Sequence, residues 1–205
     1  MKHSTEQYYS DHYIDYIRRT EKFEYFDNLY QLISKYSNYL EENSTILDVG
    51  FGSGRDAIFF ADRGFKVSAL DNNLNFIHEL RKKRNDIELI HSSIRDLSSP
   101  IPFDAMWICG TISHIPVNQL KITIQGIVKN LKVNGYLFIS YKCSEHSFSM
   151  VDDLGRFFQV MRSEDMLDLL KGNGIEVIET EMDIADRNDE ALWYWNYVIG
   201  SKKEG

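Results

Sequence analysis

The sequence predicts an α/β fold on a doubly wound, mostly parallel sheet. Three observations carry this expectation. Short apolar runs of strand length alternate with longer segments of three- and four-residue periodicity. The first run opens into a glycine-rich turn, Ile46-Leu47-Asp48-Val49-Gly50-Phe51-Gly52-Ser53-Gly54-Arg55-Asp56. The last two runs have no helix between them, so they should pair antiparallel at one edge. Alternation of this kind covers both faces of a parallel sheet with helices.

From Glu6 to Tyr39 the chain predicts one or two helices, with Phe23, Phe26, Leu29, Tyr30, Ile33 and Tyr36 on one face. Thr45–Val49 is the first strand. Arg55–Arg63 is a helix stopped by Gly64, because glycine accepts the left-handed conformation that ends a helix. Phe65–Leu70 is a strand and Asn73–Arg84 a helix. Ile87–His91 and Phe103–Cys109 are strands. Pro116 opens a helix that runs to about Leu131, since a first helical turn has no use for its missing N–H. Tyr136–Tyr141 is a fifth strand. A polar, serine-rich segment follows from Lys142 to about Leu154. Ser163–Lys171 is a helix with Ser163 as N-cap. Ile175–Glu181 and Trp193–Ser201 are the closing strands. The expected organisation is one domain, with residues 1–42 as a helical cap and 43–205 as the core.

The 205 residues suit a single hydrophobic core, and 43% are hydrophobic. The formal charge of −8 repels nucleic-acid phosphates, and no lysine–arginine block offsets it. A small-molecule partner is therefore expected, with no nucleic acid. Two cysteines, Cys109 and Cys143, make no disulfide framework, and no Cys/His cluster has zinc spacing, so no metal is expected. Met1–Glu6 is polar, and no run has membrane-spanning length. The expected setting is the cytoplasm, away from membranes. Monomer and homodimer are both compatible with the sequence.

The glycine turn discriminates between nucleotides. A dinucleotide turn reads G-x-G-x-x-G, which would put its third glycine at position 55, where Arg55 stands. The pattern here is Asp-x-Gly-x-Gly-x-Gly, from Asp48 through Gly50 and Gly52 to Gly54. An acid at the mouth of the turn disfavours a pyrophosphate and favours a ligand with an ammonium and a sulfonium. S-adenosylmethionine (SAM) has both and no phosphate, so it fits better than NAD. The glycines, with Ser53 between them, let the backbone approach the ligand. Asp71, with Asn72 beside it, ends the second strand and can accept both ribose hydroxyls.

These residues resemble the class I SAM-dependent methyltransferases over nearly the whole chain. Leu47–Arg55 looks like the first family motif and Ala69-Leu70-Asp71 like the second. Ser92-Ser93-Ile94-Arg95-Asp96-Leu97 resembles the adenine segment, with Ser93 where the family usually has an acid and Ile94 packing on the ring. Phe103–Gly110 resembles the fourth motif, with Cys109 at a cofactor-facing position. Asn134-Gly135 resembles the turn that leads into the fifth strand. The resemblance implies a Rossmann-like, seven-stranded sheet of order 3-2-1-4-5-7-6 with the last strand antiparallel. It also implies SAM as cofactor and S-adenosylhomocysteine as product. Asp153–Phe158 and Trp195-Asn196 look like a bacterial subgroup near the tellurite-resistance and ubiquinone-biosynthesis-type methyltransferases.

Methyl transfer is an in-line displacement that mostly needs positioning. A general base helps for hydroxyl or amine acceptors. His114 follows the fourth strand, at the carboxyl edge where such sheets bind ligands, and is the candidate base. Arg156, beside Phe157 and Phe158, is the candidate grip on an anionic acceptor. Tyr9, Tyr13 and Tyr16 lie on the leading helix, which in the family closes over the cofactor; Arg19 and Thr20 follow towards its methionine end. Asn196 with Arg187 is a candidate lining of the acceptor pocket. Cys109 lacks the preceding proline of the cytosine C5 enzymes and reads as a small buried hydrophobe. Two other functions compete with methyl transfer: a SAM-binding protein without turnover and an NAD-dependent oxidoreductase, the latter opposed by Arg55. A nucleic-acid amino-methyltransferase would carry an Asn/Asp-Pro-Pro-aromatic tetrad where this chain has Cys109-Gly110-Thr111-Ile112.

Overall fold

In a computed structural model, residues 4–25, 28–182 and 193–204 are described. Among the described residues, nine strands form two sheets. The main sheet holds β1 (Thr45–Val49), β2 (Lys66–Asp71), β3 (Glu88–His91), β4 (Phe103–Cys109), β5 (Leu131–Cys143), β8 (Ile175–Met182) and β9 (Tyr194–Lys202). Its order is β3-β2-β1-β4-β5-β9-β8. Strands β1 to β5 pair parallel, and β9 runs antiparallel to both β5 and β8. This is the seven-stranded Rossmann-like order expected above, with the closing pair at one edge.

Strand alternation builds two apolar layers. Along β4, Ala105 and Trp107 join a cluster with Ile33, Tyr36, Phe60 and Leu80. Met106 and Ile108 face the other way, into a cluster with Ile124, Ile127, Met166 and Leu170. Helices α3 (Leu29–Ser37), α4 (Arg55–Asp62) and α5 (Leu74–Lys83) therefore cover one face. The other is covered by α6 (Val117–Lys129) and α7 (Ser163–Lys171).

The leading segment differs from the expected one or two helices. It forms α1 (Thr5–Asp11), α2 (Tyr13–Thr20), a 3₁₀ turn at Phe23–Tyr25 and then α3. Asn28 breaks the run with a left-handed φ of 63°, so the aromatic residues do not share one continuous face. Ile33 and Tyr36 are core, Tyr30 is exposed, and Phe26 lies outside the described residues. The Tyr36 hydroxyl stands 3.0 and 2.9 Å from the carbonyls of Met106 and Tyr136. That hydroxyl sits near the β-bulge where β4 and β5 change register between Phe103 and Ala105.

Asn134-Gly135 is a kink inside β5 rather than a turn before it. Asn134 has φ 61°, and a Cβ on Gly135 would stand 2.8 Å from the Lys132 carbonyl and 2.9 Å from that of Asp104. At its other end β5 continues through Lys142 to Cys143, where a polar loop was expected. That segment also contains a hairpin, β6 (Phe148–Val151) with β7 (Phe157–Val160). Ser163 is the first helical residue of α7 rather than its N-cap; Arg162 holds the cap position without a side-chain bond.

Candidate active site

The site lies at the carboxyl ends of β1, β2 and β4, where the order reverses between β1 and β4 and open α/β sheets bind ligands. Gly50, Gly52 and Gly54 all have positive φ, at 71°, 51° and 80°. Backbone bonds fix the turn: the Gly50 N–H donates to the Leu70 carbonyl at 2.7 Å, and the Gly52 N–H to Asp71 Oδ2 at 3.1 Å. A Cβ on Gly50 would stand 2.1 Å from Thr111 Oγ1, and one on Gly52 2.9 Å from the Tyr16 ring. Gly54 serves packing: its missing side chain leaves room for Leu80 of α5, 2.7 Å from the Cβ position.

Two adjoining cavities open here. The larger, about 1080 Å³, is lined by Gly50, Gly52, Asp71, Asn72, Ser93, Ile94, Cys109 and His114, with Thr5, Glu6 and Tyr9 of α1 across from them. The smaller, about 310 Å³, is lined by Asp48, Ser53, Arg55, Thr20, Lys142, Arg156, Phe158 and Trp195. Four residues line both: Tyr9, Tyr16, Gly50 and Cys109.

Asp48 is buried and its Oδ2 has no hydrogen-bond partner. Burial and the neighbouring Asp56 push its pKa well above the carboxylate range. A cation in the smaller cavity would satisfy that oxygen. Asp71 has both oxygens on backbone N–H groups, of Gly52 and of Asn73 at 2.9 Å, yet desolvation still raises its pKa to about 6. The carboxylate lines the larger cavity. The Asn72 amide donates to Glu6 at 3.2 Å, and Ser93 Oγ accepts from the Arg95 N–H at 3.3 Å. Burial pushes the Cys109 thiol up to about 12, which makes it a poor nucleophile.

Arg55, in place of a third dinucleotide glycine, is committed to structure. Its Nε lies 2.7 Å from Asp56 Oδ1, and Nη1 donates to the Thr20 carbonyl at 3.1 Å. The guanidinium thus fastens the glycine turn to the end of α2.

His114 has both ring nitrogens engaged. Nδ1 lies 2.7 Å from the Phe157 carbonyl, which can only accept, so the proton is on Nδ1. Nε2 is then an acceptor, and the Tyr9 hydroxyl donates a hydrogen bond to it across 3.0 Å. Desolvation holds the imidazole down to about 4, so it is neutral at pH 7. Arg156 sits at the hairpin turn. Asp152 grips its Nε at 2.8 Å and Nη2 at 2.7 Å, and its cation lies 5.0 Å from the Tyr8 ring and 5.2 Å from that of Phe158.

Sequence reading missed Lys142. It is 5% exposed, with Nζ 4.4 Å from the Phe158 ring centroid and 2.7 Å from that of Trp193. The tryptophan alternation in Trp193-Tyr194-Trp195 was the available signal for such a cation–aromatic cluster. Asn196 is not a pocket residue: it is 2% exposed, donates to the Tyr141 hydroxyl and Ser163 Oγ, and ties β9 to β5 and α7. Arg187 lies outside the described residues. Thr20 lines the smaller cavity, whereas Arg19 bonds back to the Asp15 carbonyl. Among the described residues, no group of three or more His, Cys, Asp or Glu side chains is arranged to hold a metal ion, and no helix is long and apolar enough to cross a membrane.

Residues 46–135 match the family described as a methyltransferase domain. That match covers a little under half of the chain. The seven-stranded order is the one expected from the resemblance to the class I SAM-dependent methyltransferases, and a methyltransferase domain implies SAM as cofactor. The ubiquinone biosynthesis O-methyltransferase of Rickettsia akari (strain Hartford) is 32% identical over 114 residues, 54% of this chain and 44% of that protein. The chain spans less than half the length of the curated relatives it matches, 42% of one and 44% of the other. The 1,6-didemethyltoxoflavin-N1-methyltransferase of Burkholderia thailandensis, solved with 1,6-didemethyltoxoflavin and S-adenosylhomocysteine, superposes with a TM-score of 0.76 at 15% identity, over 96% of this chain and 88% of that one. The [4+2]-cyclase SpnF gives 0.77 at 15% identity, over 98% and 97%. At such identities these two structures establish the fold alone.

Proposed function

We propose that this protein transfers a methyl group from SAM to a small-molecule acceptor held in the smaller cavity. One observation carries the reading: two cavities of different chemistry share a boundary at Tyr9, Tyr16, Gly50 and Cys109. When bound, SAM supplies an electrophilic methyl on a sulfonium. The residues fit such a group. Asp71 would take the ribose hydroxyls, Ser93 and Ile94 the adenine, and the Gly50–Gly54 turn the close-packed backbone side. Asp48, in the smaller cavity just past the shared boundary at Gly50, would face the positive charge of the amino-acid end where it reaches across that boundary.

The acceptor end has the opposite polarity. Arg156 and Lys142 line it among the rings of Phe158 and Trp195, which suits a compact acceptor with an anionic or electron-rich face. Its main catalytic effect would be holding the acceptor in line with the methyl group while water is kept out.

A second reading is a SAM-binding protein without methyl transfer. It is favoured by the likeness to a [4+2]-cyclase, because one fold hosts different chemistries. Release of S-adenosylhomocysteine from SAM, measured across a panel of phenols, amines and carboxylates, tests the two. Acceptor-dependent release supports methyl transfer. Tight S-adenosylhomocysteine binding with no release across the panel favours the second reading.

A further inference from the structure

The hydrogen-bond chain at the boundary of the two cavities has a direction. The Phe157 carbonyl fixes the His114 tautomer, so Nε2 must accept and the Tyr9 hydroxyl must donate to it. Tyr9 Oη can therefore accept, one lone pair facing the Arg156 guanidinium and another left for the acceptor. Tyr9 lines both cavities, whereas His114 lines only the larger. Resting on the methyl-transfer reading above, we infer that Tyr9 is the group that takes the acceptor's proton, passing its own to His114, and that the acceptor is protic: a phenol-like O–H or an N–H.

The step balances. The acceptor's O–H or N–H bond breaks and its proton goes to Tyr9 Oη. The Tyr9 proton moves to His114 Nε2. The acceptor lone pair forms the bond to the methyl carbon, and the methyl–sulfur bond breaks with its electron pair left on sulfur. A sulfonium charge disappears as an imidazolium charge appears, so the net charge of the site is unchanged. His114 waits in its neutral form at pH 7 because burial lowers its pKa. Arg156 beside Tyr9 favours the transient tyrosinate and opposes the rise that burial imposes on the phenol. Tyr9 is thus the catalytic residue, and His114 acts through it. A thiolate or metalloid anion would need none of this apparatus.

Position is supported from three sides. The Phe157 N–H donates to Thr5 Oγ1 at 2.8 Å, which ties α1 to the hairpin. The Asn75 amide donates to the Ser10 carbonyl at 3.2 Å. The Tyr9 ring packs edge-on against Tyr16 and His114, with centroids 5.2 and 5.5 Å apart.

The test uses the full chain with saturating S-adenosylhomocysteine or SAM. Nitrogen-15 NMR of His114 should show Nδ1 protonated and Nε2 a hydrogen-bonded acceptor, with Tyr9→Phe moving the Nε2 resonance and leaving Nδ1 in place. Initial rates of methylation are then compared for phenol, which stays protonated at neutral pH, and thiophenol, which is largely the thiolate. The phenol-to-thiophenol rate ratio should fall roughly a hundredfold or more in Tyr9→Phe and likewise in His114→Gln, as expected for loss of a positioned base. A proton on Nε2, an unchanged ratio in Tyr9→Phe, or a wild type that does not methylate the phenol overturns the relay. Failure to bind S-adenosylhomocysteine at all is a different result, and it overturns the methyl-transfer reading instead.

Discussion

The Trp107 indole N–H donates to Asp56 Oδ2 across 2.8 Å, joining the middle of the sheet to the first turn of α4 beneath the glycine turn. Asp56 is also the partner of Arg55, and all three residues are largely removed from water. The glycine turn therefore stands on a buried ion pair with one neutral donor.

Removing the acid from that support strands a buried guanidinium. Asp56→Ala should cost about 3–5 kcal/mol, a fall of roughly 10 °C or more in Tm for a chain of this size. Trp107→Phe keeps the ion pair and loses one donor, so it should cost less. Thermal melts of the two variants check the ranking.

Gly50 has no room for a side chain. Gly50→Ala combines a φ of 71° with a methyl 2.1 Å from Thr111 Oγ1, which itself donates to the Val49 carbonyl at 3.0 Å. Left-handed strain alone is about 1–2 kcal/mol. Titration calorimetry with S-adenosylhomocysteine should show a loss of tenfold or more. Wild-type affinity in the folded variant would mean that the turn does not hold the cofactor.

Arg156→Ala should act on the acceptor. It removes one of the cations lining the smaller cavity and leaves the larger one's lining intact. The expected result is a raised acceptor KM, with S-adenosylhomocysteine affinity changed far less. Asp152 still accepts the backbone N–H groups of Leu154 and Arg156, at 3.1 and 2.8 Å, so the hairpin turn keeps its local bonds. Loss of cofactor affinity instead would contradict the assignment.

The pH dependence of stability follows from two groups of opposite sign. His114 has a folded pKa of about 4 against an ordinary 6.5. The unfolded chain takes that proton first, so stability falls as pH drops from 6.5 towards 4, on the order of 1–3 kcal/mol. Asp71, raised to about 6 from 3.8, takes its proton first in the native state and adds stability over much of the same window. Without ligand, His114→Gln should therefore lose its acid sensitivity between pH 6.5 and 4, and Asp71→Asn should increase it. Melts across that range read both.

The features legible in the sequence were those carried by short contiguous patterns. Asp48 to Gly54 identified the turn because three positive-φ positions in five residues leave few side chains to choose from. Asp71 followed from its place at the end of β2. The edge pair β8–β9 followed from two apolar runs without a helix between them. What stayed hidden depends on contacts distant in sequence. Strands β6 and β7 have four residues each, too short for a period-two signal amid serines. Lys142 looked like the start of a loop, because its burial comes from Trp193 and Phe158. Asn196 looked like a pocket residue, because Tyr141 and Ser163, its partners, lie 55 and 33 residues away. The His114–Tyr9 bond spans 105 residues, and its direction depends on the Phe157 carbonyl of a third element.

The central claim is that the cavity above Gly50, Asp71 and Ser93 is a SAM site, and ligand-dependent melting tests it most directly. With S-adenosylhomocysteine at a hundred times its Kd the native state gains roughly 2.7 kcal/mol, a rise in Tm of roughly 5–10 °C. Asp71→Ala should weaken that binding more than tenfold and shrink the shift at the same concentration, and NAD should give none. A shift with NAD and none with S-adenosylhomocysteine would contradict the account, and a full shift that survives in Asp71→Ala would remove the ribose contact from it.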